Sequence, residues 1–206
     1  MTEDVVKECG DYTCEKDKDI EDFFKSEYKD YNAQLLGKSY CFVTKDGNPR
    51  IACAFSLANS SLRVDRLSSK RRNRLNRDIP NTKRRSQYPA VLIGQLAVMD
   101  GFHGMDLGRK VLDFIKSWFI DPYNKTGCRY IIVDAVNTEK VLQFYENNGF
   151  KYIFASDEEE MDYMSGLYND SFRNKFLKSL GLKNADPIYR KTRLMYFDLI
   201  VLYAKK

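Results

Sequence analysis

A chain of 206 residues, 43% hydrophobic and 31% charged, is long enough for one domain with a real core and too apolar for a disordered segment. No apolar run approaches a membrane span, and Met1–Asp19 is acidic and polar without the hydrophobic centre of a signal peptide, so no membrane association and a cytoplasmic protein are expected. The net charge of +5 is concentrated: Arg63–Arg85 carries ten Lys or Arg against two Asp, a surplus of +8 that leaves −3 on the remainder. Five cysteines, Cys9, Cys14, Cys41, Cys53 and Cys128, are odd in number and irregular in spacing. With no histidine near the one close pair, reduced thiols and no metal are expected.

In chain order, residues 1–18 read as a polar arm and 19–206 as a single domain. A helix is predicted over Asp19–Gln34, capped by Asp19, with Ile20, Phe23, Phe24 and Tyr31 on one face. Gly37 breaks the chain. Strands follow at Ser39–Thr44 and Arg50–Ser56, joined by Lys45-Asp46-Gly47-Asn48-Pro49, whose Asp-Gly pair is a strong turn signal. The stretch at about 59–88 is a basic insert in which a short helix fits Ser68–Leu75. Ala90–Val98 reads as a buried strand, and the loop Asp100–Gly108 leads into a helix. On that helix Val111, Phe114, Ile115, Trp118 and Phe119 fall at i, i+3, i+4, i+7 and i+8, one apolar face that Asp121-Pro122 ends. Arg129–Ala135 is another buried strand, and Glu139–Asn148 a helix closed by Gly149 in the position after the C-cap. Phe150–Ala155 starts a further strand; an acidic linker, a helix at Asn169–Leu180 and a strand at Arg193–Leu202 complete the chain. Alternation in the middle implies a parallel strand pair, and the opening hairpin an antiparallel one. The expected class is therefore α/β, a mixed sheet with helices on both faces.

The unit at 90–119 puts a Gly-containing loop at a helix N-terminus, where free N–H groups and the helix dipole attract anions. Gly104 and Gly108 would let backbone approach a phosphate, although glycines at such turns also serve the turn alone. The run Leu96-Ala97-Val98, then His103-Gly104-Met105-Asp106-Leu107-Gly108, resembles the acetyl-CoA pyrophosphate loop of the GNAT N-acetyltransferases. Asn137, followed by Phe144-Tyr145-Glu146-Asn147-Asn148-Gly149-Phe150, resembles that family's second signature: an Asn after a strand, a Phe-Tyr pair on a helix and a Gly-Phe ending. Two positions depart from the pattern. His103 stands where Gln or Arg is usual, and Asp106 where the middle Gly is usual. A carboxylate beside a pyrophosphate is electrostatically wrong unless it points to solvent.

The resemblance implies a GNAT fold: a mixed, mostly antiparallel central sheet with helices on both faces and a splayed parallel strand pair. It implies acetyl-CoA as co-substrate. Backbone groups of Leu96, Ala97 and Val98 would meet the pantetheine arm and the thioester carbonyl. His103, Gly104, Met105, Asp106, Leu107, Gly108 and Arg109 would form the pyrophosphate loop, with His103 a capping or phosphate contact rather than a base. Asn137 would hydrogen-bond the pantetheine chain or the splayed strand end, and Tyr145 would protonate the departing thiolate. The residues alone leave Tyr145 open as a packing aromatic, since Val141, Phe144 and Tyr145 form a helical stripe. Asp134 and Glu139 are positional candidates for a general base.

The layout from Phe55-Ser56-Leu57-Ala58 through the basic insert to Leu96-Ala97-Val98 resembles the GNAT branch that includes toxins acetylating aminoacyl-tRNA, with Gln95 standing where those proteins often have Arg. That likeness implies a tRNA partner at Arg63–Arg85, where the plain alternative is a solvated charged loop lacking an aromatic platform apart from Tyr88. The acceptor amine is otherwise unidentified, and a homodimer is an open assembly. The reading opposed to an enzyme is a GNAT-like binding module without catalysis, which the carboxylate of Asp106 favours.

Overall fold

The Asp46-Gly47 signal produces its hairpin. β1 (Lys38–Val43) and β2 (Ile51–Arg63) run antiparallel, with Ser39 opposite Ser56 and Phe42 opposite Cys53. Thr44 and Arg50 close the loop by exchanging hydrogen bonds: the Thr44 N–H donates to the Arg50 carbonyl at 2.9 Å and the Arg50 N–H to the Thr44 hydroxyl at 3.1 Å. A computed structural model of the chain describes residues 1–15, 17–164 and 191–203.

Downstream, β3 (Gln87–Val98) leads to α5 (Leu107–Phe119), then β4 (Tyr130–Val136) and α6 (Glu139–Asn147). β3 and β4 are the expected parallel pair, from Ala90 opposite Tyr130 to Ile93 opposite Val133, and each strand continues past the ladder. Two short strands, β5 (Lys151–Tyr152) and β6 (Thr192–Asp198), pair antiparallel. The six strands lie in the order β1-β2-β3-β4-β6-β5. The remaining helices are α1 (Glu3–Cys9), α2 (Lys18–Asp22), α3 (Tyr28–Ala33), α4 (Ser69–Leu75), α7 (Asp157–Met164) and α8 (Ile200–Tyr203).

Several expectations need correction. Residues 1–18 are not a polar arm: α1 forms, and Cys9, Tyr12 and Cys14 enter a core with Phe23, Phe24, Tyr28 and Met99. The helix predicted over Asp19–Gln34 starts at Lys18 and is capped by Asp17, whose side chain accepts from the Ile20 N–H; a π turn, Phe23–Glu27, links α2 to α3. The wider turn keeps Phe23, Phe24 and Tyr28 all buried. Of the strand expected over Phe150–Ala155, only Lys151–Tyr152 pairs, although Phe150, Ile153 and Phe154 are buried. The last strand ends at Asp198, not Leu202, because the Asp198 carboxylate takes the Ile200 N–H at 3.2 Å and starts α8. The acidic linker contains α7. The helix expected at Asn169–Leu180 lies outside the described residues.

The single domain expected over 19–206 divides into two compact units. The first joins Met1–Ser60, Pro89–Val133 and the stretch from Asp198 onward; the second joins Ser61–Tyr88 and Asp134–Phe197. In the first unit α5 buries Val111, Leu112 and Ile115, while Phe114, half-exposed, meets Phe42 edge-on at 5.1 Å and Trp118 meets Tyr40 at 5.0 Å. In the second, Leu62, Val64, Leu67, Leu75 and Ile79 are buried, so the basic insert is an anchored element rather than a loose loop. All five cysteines are free thiols, and burial pushes those of Cys53 and Cys128 up to about 11. Among the described residues no helix is long and apolar enough to cross a membrane.

Candidate functional site

The first unit carries the glycine-containing loop. Just ahead of Leu96–Val98 in β3, the Gln95 N–H donates to the buried Ser56 hydroxyl at 2.9 Å, and a Cβ on Gly94 would come within 2.9 Å of the same oxygen. Ala97 is buried, and Leu96 and Val98 half-buried. Beyond the strand, Gly101 and Gly104 take positive φ, +83° and +82°, and a side chain at Gly104 would meet nothing within 4 Å. The chain then enters α5 through Asp106, which sits at φ 58°, ψ 23°. Asp is one of the few non-glycine residues that tolerates the left-handed region, so it can stand where the family pattern has Gly.

The Asp106 side chain makes no capping bond to the helix it precedes. Its carboxylate is held 2.5 Å from the Arg109 guanidinium, both groups are about half exposed, and that bond lowers the Asp106 pKa. The carboxylate is thus occupied by Arg109, while the first N–H groups of α5, from Leu107 onward, remain the orphan donors that every helix start carries. Met105 is exposed, Leu107 and Gly108 half-buried, and Gly108 belongs to the first helical turn. His103 is half-exposed and its Nε2 lies 3.4 Å from Asp100. An anion at this place would meet uncapped N–H groups, the dipole of a 13-residue helix and the cation Lys110.

Asn137 and Tyr145 belong to the second unit. The Asn137 N–H donates to the Lys191 carbonyl at 2.8 Å, directly after β4, and Thr138 precedes α6. At the other end of α6 the Gly-Phe signature has a physical cause. Gly149 adopts φ +83°, its N–H donates to the Glu146 carbonyl at 2.8 Å, and the Phe150 N–H to the Tyr145 carbonyl at 3.0 Å. This is a Schellman motif, and its usual apolar contact is here Tyr145 against Phe150, ring centroids 5.3 Å apart. Phe144 lies at 5.1 Å on another side. A Cβ at Gly149 would press on the Phe197 ring at 3.0 Å. Tyr145 is therefore fixed by the helix end itself, and its burial pushes the phenol pKa well up, so it keeps its proton. Asp134 and Glu139 are exposed.

The basic insert forms a groove in the second unit. Lys70, Arg71, Arg74 and Arg77 line one side and Glu159 of α7 the other, with Arg71 3.9 Å from Glu159. Arg63, Lys83, Arg84 and Arg85 are exposed. Tyr88, the one aromatic available for base stacking, is buried, and its hydroxyl is taken by Asn76 at 2.8 Å and the Arg85 N–H at 3.1 Å. It pins the insert instead. Two polar anchors beside the loop were not anticipated: Ser56, whose hydroxyl accepts from the Gln95 N–H, and Asp100, whose carboxylate accepts from the Glu15 N–H at 3.0 Å and which as part of an Asp-Gly pair carried a turn signal.

No family model matches the chain. Solved structures do resemble it. AtaT complexed with acetyl-methionyl-tRNAfMet is 14% identical, over 94% of this chain and 89% of that one, with a TM-score of 0.61. A tyrosine-to-phenylalanine mutant of KacT is 16% identical, over 95% and 89%, with a TM-score of 0.57. A tyrosine-to-phenylalanine mutant of the AtaT toxin, bound to the C-terminus of the antitoxin AtaR and acetyl-CoA, is 12% identical, over 100% and 94%, with a TM-score of 0.58. The chain has the GNAT fold. At these identities the likeness is one of fold.

Proposed function

We propose that the chain is an acetyl-CoA-dependent N-acetyltransferase acting on a primary amine. The observation that carries this reading is the start of α5: uncapped N–H groups behind Gly104, with the one offending carboxylate, Asp106, engaged by Arg109. These residues fit a pyrophosphate. Leu107, Gly108 and Arg109 supply backbone donors, Gly104 leaves room, and Lys110 supplies charge while Arg109 neutralises Asp106. Leu96–Val98 offers strand backbone for an amide-bearing arm, and in the second unit the family resemblance assigns Asn137 to the same arm. Acetyl-CoA, when bound, supplies an acetyl group activated as a thioester. Tyr145 holds a proton at its hydroxyl oxygen for the departing sulfur, as direct attack by a neutral amine requires.

For the acceptor, the basic groove on and after α4 favours a phosphate-bearing carrier, the amine of an aminoacyl-tRNA. AtaT, a fold neighbour, has been solved with acetyl-methionyl-tRNAfMet. The non-catalytic module loses its main support, since Asp106 pairs with Arg109 instead of standing free at the helix start. The test is incubation with labelled acetyl-CoA and separate pools of aminoacyl-tRNA, polyamines and peptides. Label is expected on aminoacyl-tRNA. Label on peptides or polyamines alone would keep the enzyme and remove the tRNA reading. The absence of both a thermal shift with acetyl-CoA and any transfer would remove the enzyme.

A further inference from the structure

Asp100 sits outside the residues assigned to the cofactor, yet several contacts converge on it. It occupies the second position of a turn, Met99–Phe102, closed by the Phe102 N–H on the Met99 carbonyl at 3.1 Å, with Gly101 at φ +83° in the third. These torsions and an Asp-Gly pair are enough to form such a turn, so the turn asks nothing of the carboxylate. The carboxylate is nonetheless fully engaged, and each partner lies outside the turn. The Glu15 N–H donates to one of its oxygens at 3.0 Å, and His103 Nε2 approaches the other at 3.4 Å. The backbone adds a further tie, from the Asp100 N–H to the Thr13 carbonyl at 2.9 Å.

The other party is a strap, Tyr12–Glu15, which is itself immobilised. Tyr12 and Cys14 are buried, the Tyr12 hydroxyl donates to the Phe24 carbonyl, and the Cys14 N–H donates to the buried Glu21 carboxylate at 2.7 Å. Lys25 in turn holds Glu21 at 2.6 Å. In the loop from Gly101 to Asp106, Phe102 packs against the core beneath the Arg50 guanidinium, 5.1 Å from its ring, the residues from His103 to Asp106 are exposed, and α5 fixes the far end. Asp100 anchors its near end, and His103 carries that anchorage to the residue next to Gly104.

We infer that Asp100 is a positioning residue of the acetyl-CoA loop, holding Gly101–Gly104 against the strap Tyr12–Glu15 so that the α5 N–H groups face the pyrophosphate from a preformed loop. The inference rests on the reading of residues 103–109 as the acetyl-CoA cradle. A preformed loop affects binding of the co-substrate and not the acyl-transfer step. Loss of the carboxylate therefore raises KM and Kd for acetyl-CoA and spares kcat.

The experiment compares wild type, Asp100→Ala and Asp100→Asn by calorimetry with acetyl-CoA and by steady-state kinetics. Asp100→Ala is expected to raise Kd and KM by about tenfold, the scale of one to two ordinary hydrogen bonds, with kcat within about threefold. Asp100→Asn keeps an acceptor for the Glu15 N–H and loses the charge facing His103, so it recovers most of the affinity, within about two- to fourfold of wild type. Should the Ala variant not fold, Asp100→Ser, which suits the turn but is too short to reach both the Glu15 N–H and His103, takes its place: an unchanged Kd in that variant overturns the inference. Unchanged Kd in a folded Ala variant, whatever its melting temperature, likewise means that Asp100 only holds the strap. A fall in kcat at constant KM also overturns it. Failure of wild type to bind acetyl-CoA removes the cradle and this inference together, whereas normal wild-type binding with an unchanged Asp100→Ala affinity removes this inference alone.

Discussion

Tyr145→Phe removes one oxygen and leaves the ring. The edge-on contacts to Phe144 at 5.1 Å and Phe150 at 5.3 Å are kept, as is the Tyr145 carbonyl that accepts from Phe150. Melting temperature and acetyl-CoA affinity are therefore expected to stay near wild type, the latter within a few-fold. A positioned general acid contributes roughly 10²- to 10⁴-fold. A thiol of pKa about 8.5 is a fair leaving group without help, so the lower end applies, and kcat should fall by roughly 10²-fold. Burial raises the phenol above the ordinary tyrosine value of about 10. The hydroxyl thus stays protonated across pH 6–9, and Tyr145 should add no descending limb to the rate profile there. The assay is release of free CoA thiol at saturating acceptor over that range, for both proteins. An unchanged kcat would make Tyr145 a packing residue. A descending limb present in wild type and absent from the variant would show that Tyr145 ionises in the range, against the desolvation argument.

Asp106→Gly should tighten acetyl-CoA binding by no more than about threefold, because the carboxylate is half-exposed and already paired with Arg109. Asp106→Ala should instead lower the melting temperature, since a plain Cβ is disfavoured at φ 58°; weaker binding in the Gly variant would mean that the carboxylate organises the loop. Reversing Arg71, Arg72 and Arg74 to Glu should cut RNA affinity and reduce the salt slope by about three, at most one per lost phosphate contact, with acetyl-CoA affinity unchanged. A gel shift with total tRNA at two salt concentrations reads it, and no binding by wild type at low salt would remove the tRNA acceptor. The Lys25 bond, with the Cys14 N–H behind it, lowers the Glu21 pKa to about 2. A depressed folded-state value stabilises above the ordinary glutamate pKa near 4.5 and loses that effect as pH falls toward 2. Glu21→Gln should therefore lower the melting temperature at pH 7, with a difference that shrinks between pH 4.5 and 2; a constant difference would refute the ion-pair account.

The elements legible in the sequence were those whose signal is local. The hairpin announced itself by Asp46-Gly47, α5 by its i, i+3, i+4 apolar face, and the end of α6 by Gly149. The stretch expected to be a polar arm over residues 1–18 was not legible because burial there is carried by Cys9, Tyr12 and Cys14 in an acidic setting, where composition outweighs three scattered positions. The run at Phe150–Ala155 was read as a strand because Phe150, Ile153 and Phe154 are apolar; periodicity cannot separate a laddered strand from a bend packed on a core. At the far end, Asp198 inside an apolar run was a helix cap, a signal outweighed by the hydrophobic residues on both sides.

The candidate site was legible to a different degree, because the letters that resemble the family motif report backbone torsions more than side-chain chemistry. Gly149 is needed at φ +83° for the Schellman bonds that set Tyr145, and Gly104 turns the loop at φ +82°. The letter at 106 was the informative exception. Read as chemistry, an acid there opposes a phosphate. Read as geometry, the position asks for the left-handed region, which Asp can occupy at φ 58°. The side chain can then leave the helix start for Arg109, three residues on, and the orphan N–H groups of α5 stay uncapped by it. A substitution that conflicts with a motif electrostatically can thus satisfy it conformationally. Which of the two governs depends on where the side chain finds its partner, and that is a matter of tertiary geometry that residue spacing alone does not encode.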